Sequence, residues 1–435
     1  MSDKGHAPLD AAIALFIRVA SAGLVFGLQV LLARLMPADG YGGFVTLWTW
    51  MLALGSFAAL GFADSSVRFL PRYHLRGRHA ALRGFWRSGL TIVLVTSCLA
   101  AALAAILAIV LVGLDGVGLT IVLVAIGAPF LAIEYFLEGV SRSFGWYRLA
   151  AVPVYILRPL LIAGICLILV SLGVELTLPV VGAVLVVSMA IVTMGLALLV
   201  RRRLRALMSD SAGRATPKQR RLWLMASLPL VVLSGLEDLT QYADVLILSL
   251  LSEPEVVGIY FAAARALALA GFVAYAMTLV AGRRFALDLA DSDRAQLQHN
   301  MLEATRLTFW ATVVAVIIAL LAGPLLLGAF GPGFLVGQSV MLVLGLGLVV
   351  RAMSGQAAEM LVVAGRQREA LGIGALILVI NAALCFALVP GFGIIGAATA
   401  TAIAMACRTL ALVIVLWRVE RLRVLSFGLP TLRVA

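Results

Sequence analysis

The stretch Leu32–Phe44 reads LARLMPADGYGGF, and its pattern returns 216 residues later in Leu248–Tyr260, which reads LSLLSEPEVVGIY. The matched positions are Leu35 with Leu251, Gly42 with Gly258, and Phe44 with Tyr260. Each stretch joins one long apolar run to the next, so the repeated unit is built of apolar helices. The offset is close to half of the 435 residues, and the repeat therefore accounts for nearly the whole chain.

The repeat continues beyond these two stretches. Arg68 and Phe69 fall on Arg284 and Phe285 at the same offset. Farther along, the offset becomes 220, and the matched positions are Gly145 with Gly365, Arg148 with Arg368, and Gly173 with Gly393. This change indicates a four-residue insertion in the second copy. We therefore predict two lobes, residues 1–217 and 218–435, an arrangement found in many secondary transporters.

Composition assigns the chain to the membrane. Hydrophobic residues make up 63% of the chain and charged residues 12%, whereas a soluble domain carries about 25% charged residues. The mean hydropathy is +1.10. The apolar runs are continuous, unlike the short alternating segments of a membrane barrel, and they predict an all-α polytopic membrane protein.

A membrane-spanning helix needs about 20 mostly apolar residues, and the sequence contains twelve such runs, six in each lobe. The predicted spans are residues 13–34, 42–63, 88–112, 119–140, 152–172, 178–200, 223–250, 257–281, 308–330, 337–363, 371–390 and 394–417. Residues that favour turns separate them, for example Pro37–Gly43 and Pro390–Gly393.

Most Lys and Arg residues, 27 of 33, lie on one side of the predicted spans. They are Lys4 and those in segments 64–87, 141–151, 201–222, 282–307, 364–370 and 418–435. By the positive-inside rule, these segments and both termini face the cytoplasm. The net charge of +12 therefore reflects topology and attraction to anionic lipid, and we expect no binding to nucleic acid.

The sequence leaves little room for the active site of an enzyme. Connections on the opposite side of the membrane are only a few residues long, and no segment reads as a soluble domain. The chain has no GxxxxGK[ST] phosphate-binding pattern. Its four Cys and four His residues have no metal-ligand spacing. We predict a protein that is not an enzyme, without metal or cofactor, with proton or Na⁺ coupling as a possible source of energy.

Ionisable residues at membrane depth are costly and are candidates for function. Five arginines lie within predicted spans: Arg18, Arg158, Arg265, Arg351 and Arg408. A guanidinium group can bind phosphate oxygens through two parallel hydrogen bonds, so these residues are candidates for holding a diphosphate or glycan substrate. The alternative is that they form ion pairs across helices or lie near the membrane interface.

Four acidic residues in the spans are candidates for coupling transport to a proton or cation gradient: Glu134, Glu237, Asp238 and Asp244. Glu237 and Asp244 are seven residues apart and share a helix face, with Asp238 about 100° round the helix. Each charge moved across the membrane gains about 2.3 kcal/mol per 100 mV. The alternative is that these acids form structural salt bridges to Arg265 or Arg18.

The repeated segments resemble a known family. LLARLMPADGYGGF at 31–44, GFADSSVRFLPRY at 61–73 and YADVLILSLLSEPEVVGIYFAAARAL at 242–267 resemble spans of the polysaccharide transporter family. These are the Wzx-type O-antigen and exopolysaccharide flippases of the MOP superfamily, which also includes MATE exporters and lipid II flippases. The resemblance covers most of the chain and implies a MATE/MOP-like fold of two six-helix lobes.

The resemblance also implies a function in the bacterial inner membrane. Such a flippase moves an undecaprenyl-diphosphate-linked oligosaccharide by alternating access to the outer leaflet, for O-antigen (lipopolysaccharide) or exopolysaccharide synthesis. The glycan travels through a cationic cavity between the lobes, with which the five arginines agree. The expected partners are the lipid-linked oligosaccharide, membrane lipids and other polysaccharide-assembly membrane proteins.

Two other functions stay open. A MATE-like cation-coupled exporter of small molecules would use the acidic residues in its cavity. A non-transporting scaffold of a polysaccharide assembly complex would tolerate neutralisation of all these charges. The charge of the side chains in the cavity distinguishes the flippase from the exporter, because arginines favour a diphosphate and acidic residues favour a cation.

Overall fold

The computed structural model of the chain describes residues 7–111, 113, 116–207, 216–271, 277, 281, 284–285, 287–289 and 294–424. Within these ranges, the structure describes the backbone but not the side chains of residues 7–19, 117, 232–234, 237 and 238. The described residues form helices joined by short turns, with no strand among them. The predicted all-α polytopic membrane fold is confirmed.

The chain forms two compact units, Met1–Leu239 and Thr240–Ala435. The helices of the first unit are α1 (Ala7–Leu35), α2 (Ala38–Ala58), α3 (Phe62–Leu75), α4 (His79–Leu111), α5 (Gly116–Ser143), α6 (Tyr147–Val152), α7 (Arg158–Ser171) and α8 (Leu178–Leu207). A π-helical turn, Pro153–Leu157, joins α6 to α7.

Helix α9 (Pro217–Leu251) begins in the first unit and ends in the second. The other described helices of the second unit are α10 (Pro254–Ala268), α11 (Arg294–Leu321), α12 (Gly323–Phe330), α13 (Gly337–Ala352), α14 (Ala357–Val363) and α15 (Gln367–Glu420). Short 3₁₀ segments, Leu269–Gly271 and Pro332–Val336, follow α10 and α12.

Eight helical segments in the described ranges are long and apolar enough to cross a membrane, and the bent pair α2–α3 makes nine. The 54-residue α15 covers the last two predicted spans. It bends at Gly393, which has non-helical dihedral angles and lies in the predicted turn. Shorter apolar parts of α1 and α9, Ala20–Leu35 and Leu239–Leu251, fall on the first and seventh predicted spans.

A break follows α2 at the end of the second predicted span, and the helix α3 beyond it was not predicted from the sequence. Helices α2 and α3 meet at an angle of 43°. Leu60 and Gly61 at the break have positive φ angles of 48° and 66°. A Cβ atom on Gly61 would lie 2.4 Å from the carbonyl oxygen of Ser227 on α9, so only glycine permits this approach. A long-range contact therefore fixes the position of the break.

The tenth predicted span is broken as well, between α13 and α14. Gly355 has a φ of 50°, and a Cβ atom there would lie 2.4 Å from the hydroxyl oxygen of Thr305 on α11. Gln356 follows the break and donates a 3.4 Å hydrogen bond to the hydroxyl of Thr308. Buried threonines of α11 thus provide polar neighbours for a segment whose regular helical hydrogen bonding is interrupted.

The division between the units falls within α9, later in the chain than the predicted boundary after residue 217. The first part of α9 packs on the first unit, where the indole of Trp223 donates a 2.9 Å hydrogen bond to the Tyr73 hydroxyl. Ser65 and Ser227 also share a 2.6 Å hydrogen bond. Trp223 is fully buried, with its ring centroid 5.4 Å from that of Phe85. These contacts explain why residues 217–239 belong to the first compact unit.

Candidate functional site

The first unit contains a buried ion pair between two of the predicted site residues. Arg158, the first residue of α7, donates a 2.6 Å hydrogen bond to the carboxylate of Glu134 on α5. The other carboxylate oxygen accepts a 3.1 Å bond from the hydroxyl of Thr193 on α8. Arg158 is 7% exposed and Glu134 is 2% exposed. Each charge is therefore compensated locally, as buried charges require.

The local backbone places Arg158 at this point. The π-helical turn ends immediately before it, and Pro153 and Pro159 flank the turn and the arginine. Proline removes a backbone donor, and π-helical turns are frequent at functional positions. The guanidinium carbon lies 5.1 Å from the ring centroid of Trp48 on α2, which is half-buried. Trp48 therefore covers the arginine beside the ion pair.

The second unit contains a polar cluster around Asp244 on α9. The Tyr260 hydroxyl of α10 donates a 2.6 Å hydrogen bond to one carboxylate oxygen. The Thr401 hydroxyl of α15 donates to the same oxygen at 3.4 Å. The other oxygen accepts a 2.8 Å bond from the backbone N–H of Val245. Three helices of the second unit thus converge on one acidic side chain.

Two more polar groups lie beside this cluster, on the first part of α15. The thiol of Cys385 donates a 3.3 Å hydrogen bond to the side-chain oxygen of Asn381. Both residues are buried, and Cys385 is within electrostatic range of Asp244. The cluster therefore offers hydroxyl, amide and carboxylate oxygens around a single acid. Within the described ranges, no group of three or more His, Cys, Asp or Glu side chains is placed to hold a metal ion.

Arg265 on α10 is held by aromatic rings. Its guanidinium carbon lies 4.7 Å from the centroid of Phe261 and 5.7 Å from that of Tyr242. Contacts of this kind stabilise a cation by about 0.5–2 kcal/mol. No carboxylate among the described residues is within 4.0 Å of Arg265. The described partners of this half-buried arginine are therefore aromatic rings.

Arg351 and Arg408 are neighbours in the second unit. The hydroxyl of Thr409 on α15 donates a 3.2 Å hydrogen bond to the carbonyl of Val350 on α13, so the two helices are in contact next to both arginines. Their like charges interact. Each arginine lies about 15 residues, or ~22 Å of helix rise, from the start of its helical segment at Gly337 or Gly393. Arg351 is exposed and stands at the α13–α14 break.

The predicted site residues therefore fall into separate groups. Arg158 and Glu134 are together in the first unit. Arg351 and Arg408 are together in the second unit, whose Asp244 and Arg265 have their own partners. The side chains of Arg18, Glu237 and Asp238 lie outside the described part of the structure.

Most members of the two polar clusters have apolar counterparts in the other half of the sequence repeat. At the repeat offsets, Asp244, Tyr260 and Thr401 correspond to apolar residues of the first half. These counterparts are Leu28, Phe44 and Val181. Conversely, apolar residues of the second half stand at the positions of Trp48, Arg158 and Thr193 of the first half. These counterparts are Ala264, Leu378 and Val413.

This comparison also identifies residues that the charge pattern missed. The uncharged members of the clusters give no signal in a charge pattern; they are Tyr260, Thr401, Thr193 and Trp48. A comparison of matched positions between the halves finds them, because a polar or aromatic residue replaces an apolar residue or alanine at each one.

A family profile described as polysaccharide biosynthesis protein matches residues 10–281. No curated protein matches the chain in sequence.

Several solved structures have a similar fold. Lipid II flippase MurJ in an inward closed conformation has a TM-score of 0.73 at 14% identity, covering 94% of this chain and 87% of MurJ. An inward-facing multidrug resistance MATE family transporter of the MOP superfamily has a TM-score of 0.70 at 13% identity, covering 91% and 96%. A MOP superfamily transporter from Pyrococcus furiosus, with a binding pocket of reverse polarity, has a TM-score of 0.59 at 17% identity, covering 94% of both chains. At these identities the similarity establishes the fold.

Proposed function

Because the chain belongs to the polysaccharide biosynthesis protein family, within the MOP superfamily of transporters, we propose that it is a flippase for lipid-linked oligosaccharides. The substrate is an undecaprenyl-diphosphate-linked glycan, which moves from the cytoplasmic to the outer leaflet of the bacterial inner membrane by alternating access. Both termini lie in the cytoplasm, in agreement with the distribution of Lys and Arg. The product supplies O-antigen or exopolysaccharide synthesis.

The observation that carries this proposal is the Arg351–Arg408 pair. The two like charges are within electrostatic range of each other and repel. A diphosphate relieves the repulsion because it offers oxygens to both groups through charge-assisted hydrogen bonds. Arg265 is the third candidate of the second unit, where the rings of Phe261 and Tyr242 are its described neighbours. Arg18, with its undescribed side chain, stays a candidate on sequence grounds alone.

Coupling to a gradient is assigned to Asp244, with Glu237 and Asp238 as further candidates on the same helix. A carboxylate that accepts hydrogen bonds from Tyr260 and Thr401 can exchange a proton or a bound cation as the transporter changes conformation. The absence of equivalent polar groups at Leu28, Phe44 and Val181 supports a functional role. Membrane lipids surround the protein, and other polysaccharide-assembly membrane proteins are the proposed partners.

The lipid-linked glycan content of cells without this protein tests the proposal. We expect undecaprenyl-linked oligosaccharide to accumulate on the cytoplasmic side, and wild-type protein to clear it. A normally inserted Arg265→Ala/Arg351→Ala double variant should fail to clear it. Clearance by this variant would support the flippase function but would exclude these two arginines from the substrate site.

The second candidate is a MATE-like cation-coupled exporter of small molecules. The observation that favours it is Asp244, a carboxylate held by three helices, together with the similarity in fold to a MATE transporter. It predicts an unchanged lipid-linked pool in cells without the protein, together with new sensitivity to cationic drugs. That result would reject the flippase in favour of the exporter.

A further inference from the structure

The Arg158–Glu134 pair has features that a simple tie between helices does not need. The arginine follows a π-helical turn between two prolines, and a half-buried tryptophan covers its guanidinium group. The corresponding second-half position of Arg158 is Leu378, so an apolar contact suffices there. Apolar replacement of buried ion pairs is often neutral or stabilising in proteins. The cost of burying this pair therefore points to a use for the charges.

We propose that Arg158 is an exchangeable anion site, in which Glu134 is the resident counter-ion that a phosphate group of the substrate displaces. The inference rests on the proposed function and assigns to this pair a part in coupling. Glu134 takes up one proton from the bulk aqueous solution as the phosphate oxygen replaces it on the guanidinium group. When the phosphate leaves, Glu134 releases the proton and bonds to Arg158 again.

This exchange keeps the number of charges in the buried site constant. Before exchange, the site holds one cation and one carboxylate. After exchange, it holds the cation, one anionic phosphate oxygen and a neutral carboxylic acid. Adding an anion without the proton would leave an excess buried negative charge, which is costly in a low dielectric. Proton uptake and anion binding are therefore linked at a single arginine.

The surroundings of Glu134 suit this role. In the described part of the first unit, Arg158 of α7 is the charged group that faces Glu134, and Thr193 of α8 is its hydroxyl partner. Thr193 can donate to the carboxylate and accept from the protonated acid, because a hydroxyl does both. On the other side of the arginine, Trp48 of α2 covers the guanidinium group. An anion that approached the guanidinium group from this side would have to displace Trp48.

Binding of inorganic pyrophosphate to the full chain in phosphatidylcholine nanodiscs, measured by isothermal titration calorimetry, tests the exchange. We expect Glu134→Gln to bind about tenfold more tightly than wild type, because the charged competitor for Arg158 is gone. Arg158→Gln is the matched control, and binding that survives in it belongs to other arginines. Equal or weaker binding by Glu134→Gln than by wild type would overturn the proposal.

A pH series on the wild-type protein provides a second test that does not depend on the folding of a variant. Sulfate is the probe, because it keeps its charge between pH 5 and pH 8. We expect sulfate to bind more tightly as the pH falls, with uptake of about one proton per anion at this site. The Glu134→Gln variant should show no such dependence. A wild-type affinity that does not change with pH would reject the exchange.

Competition in the nanodiscs identifies the source of the phosphate group. Undecaprenyl diphosphate should displace pyrophosphate from the Arg158 site, whereas phosphatidylglycerol should not. Equal displacement by phosphatidylglycerol would assign the site to bilayer lipid and overturn its place in coupling. The cell assay of lipid-linked glycan is independent of these measurements. If the lipid-linked glycan accumulates in cells without the protein but the exchange test fails, the flippase function stands and only the exchange at Arg158 is rejected.

Discussion

The hydroxyl of Tyr260 donates a 2.6 Å hydrogen bond to Asp244, and this bond joins α10 to α9 in the second unit. The corresponding pair of the first half, Phe44 and Leu28, has no polar atom in either side chain. The duplicated fold therefore packs at these positions without a hydroxyl or a carboxylate. This polar pair, present in only one half, is therefore the part of the proposed coupling site to test first.

Tyr260→Phe should reduce transport by about tenfold or more, because a hydrogen bond to a charged group contributes about 1.5–3 kcal/mol. The measurement is the initial rate of lipid-linked oligosaccharide translocation in proteoliposomes under an imposed proton or sodium gradient. Tyr41→Phe is the matched control, since Tyr41 donates a 3.2 Å bond to the neutral Gln29 in the first unit. Equal losses in the two variants would contradict a special role for Asp244.

Arg351→Glu should have opposite effects on stability and on transport. The substitution replaces repulsion from Arg408 by attraction, so we expect the protein to be stabilised by roughly 1 kcal/mol. Transport should be lost, because a carboxylate repels a diphosphate. Thermal unfolding in detergent and translocation in proteoliposomes measure the two quantities.

The control for this prediction is Arg148→Glu, which changes an exposed arginine of the first unit. It should leave both quantities close to their wild-type values. Loss of stability in Arg351→Glu would show that the two arginines do not repel each other in the membrane. Retained transport in a stabilised variant would remove Arg351 from the substrate site.

Gly61→Ala should destabilise the first unit strongly. The added methyl group would lie 2.4 Å from the backbone oxygen of Ser227, and the φ of 66° is strained for alanine. Gly77→Ala separates the two effects, since Gly77 has a φ of 63° but no atom within 4 Å of the added Cβ. The melting temperature in detergent should fall much further for Gly61→Ala. Similar decreases would mean that backbone strain, rather than the approach to α9, dominates.

The sequence predicted the membrane class, the repeat and the turn at Gly393, because apolar run length and punctuating residues are local signals. It did not predict the breaks at Gly61 and Gly355. Each break depends on a neighbour distant in sequence, Ser227 for the first and Thr305 for the second. A single sequence carries no information on which distant helix will approach a given glycine so closely.

The sequence pointed to the charged residues of the candidate site but not to their uncharged partners. Its charged residues stand out from an apolar background, so Arg158, Glu134 and Asp244 were found. Their partners were not, because the rotation of each helix is fixed only by tertiary packing. The alternative for the acidic residues was a salt bridge to Arg265 or Arg18, whereas Asp244 accepts hydrogen bonds from the hydroxyls of Tyr260 and Thr401.

Neutralising two arginines of similar chemistry should give very different losses of stability. Arg158→Gln leaves the buried carboxylate of Glu134 without its cation, and removing one partner of a buried pair costs about 3–5 kcal/mol. Arg265→Gln removes cation–π contacts with Phe261 and Tyr242, at about 0.5–2 kcal/mol, and leaves no described carboxylate unpaired. Thermal unfolding of both variants in detergent provides the comparison.

The double variant Arg158→Leu/Glu134→Leu should recover most of the stability lost in Arg158→Gln, because the second half of the chain has leucine at the position of Arg158. Equal stability of the two single variants would mean that Glu134 reaches water or another cation, and that the pair is not isolated in the membrane.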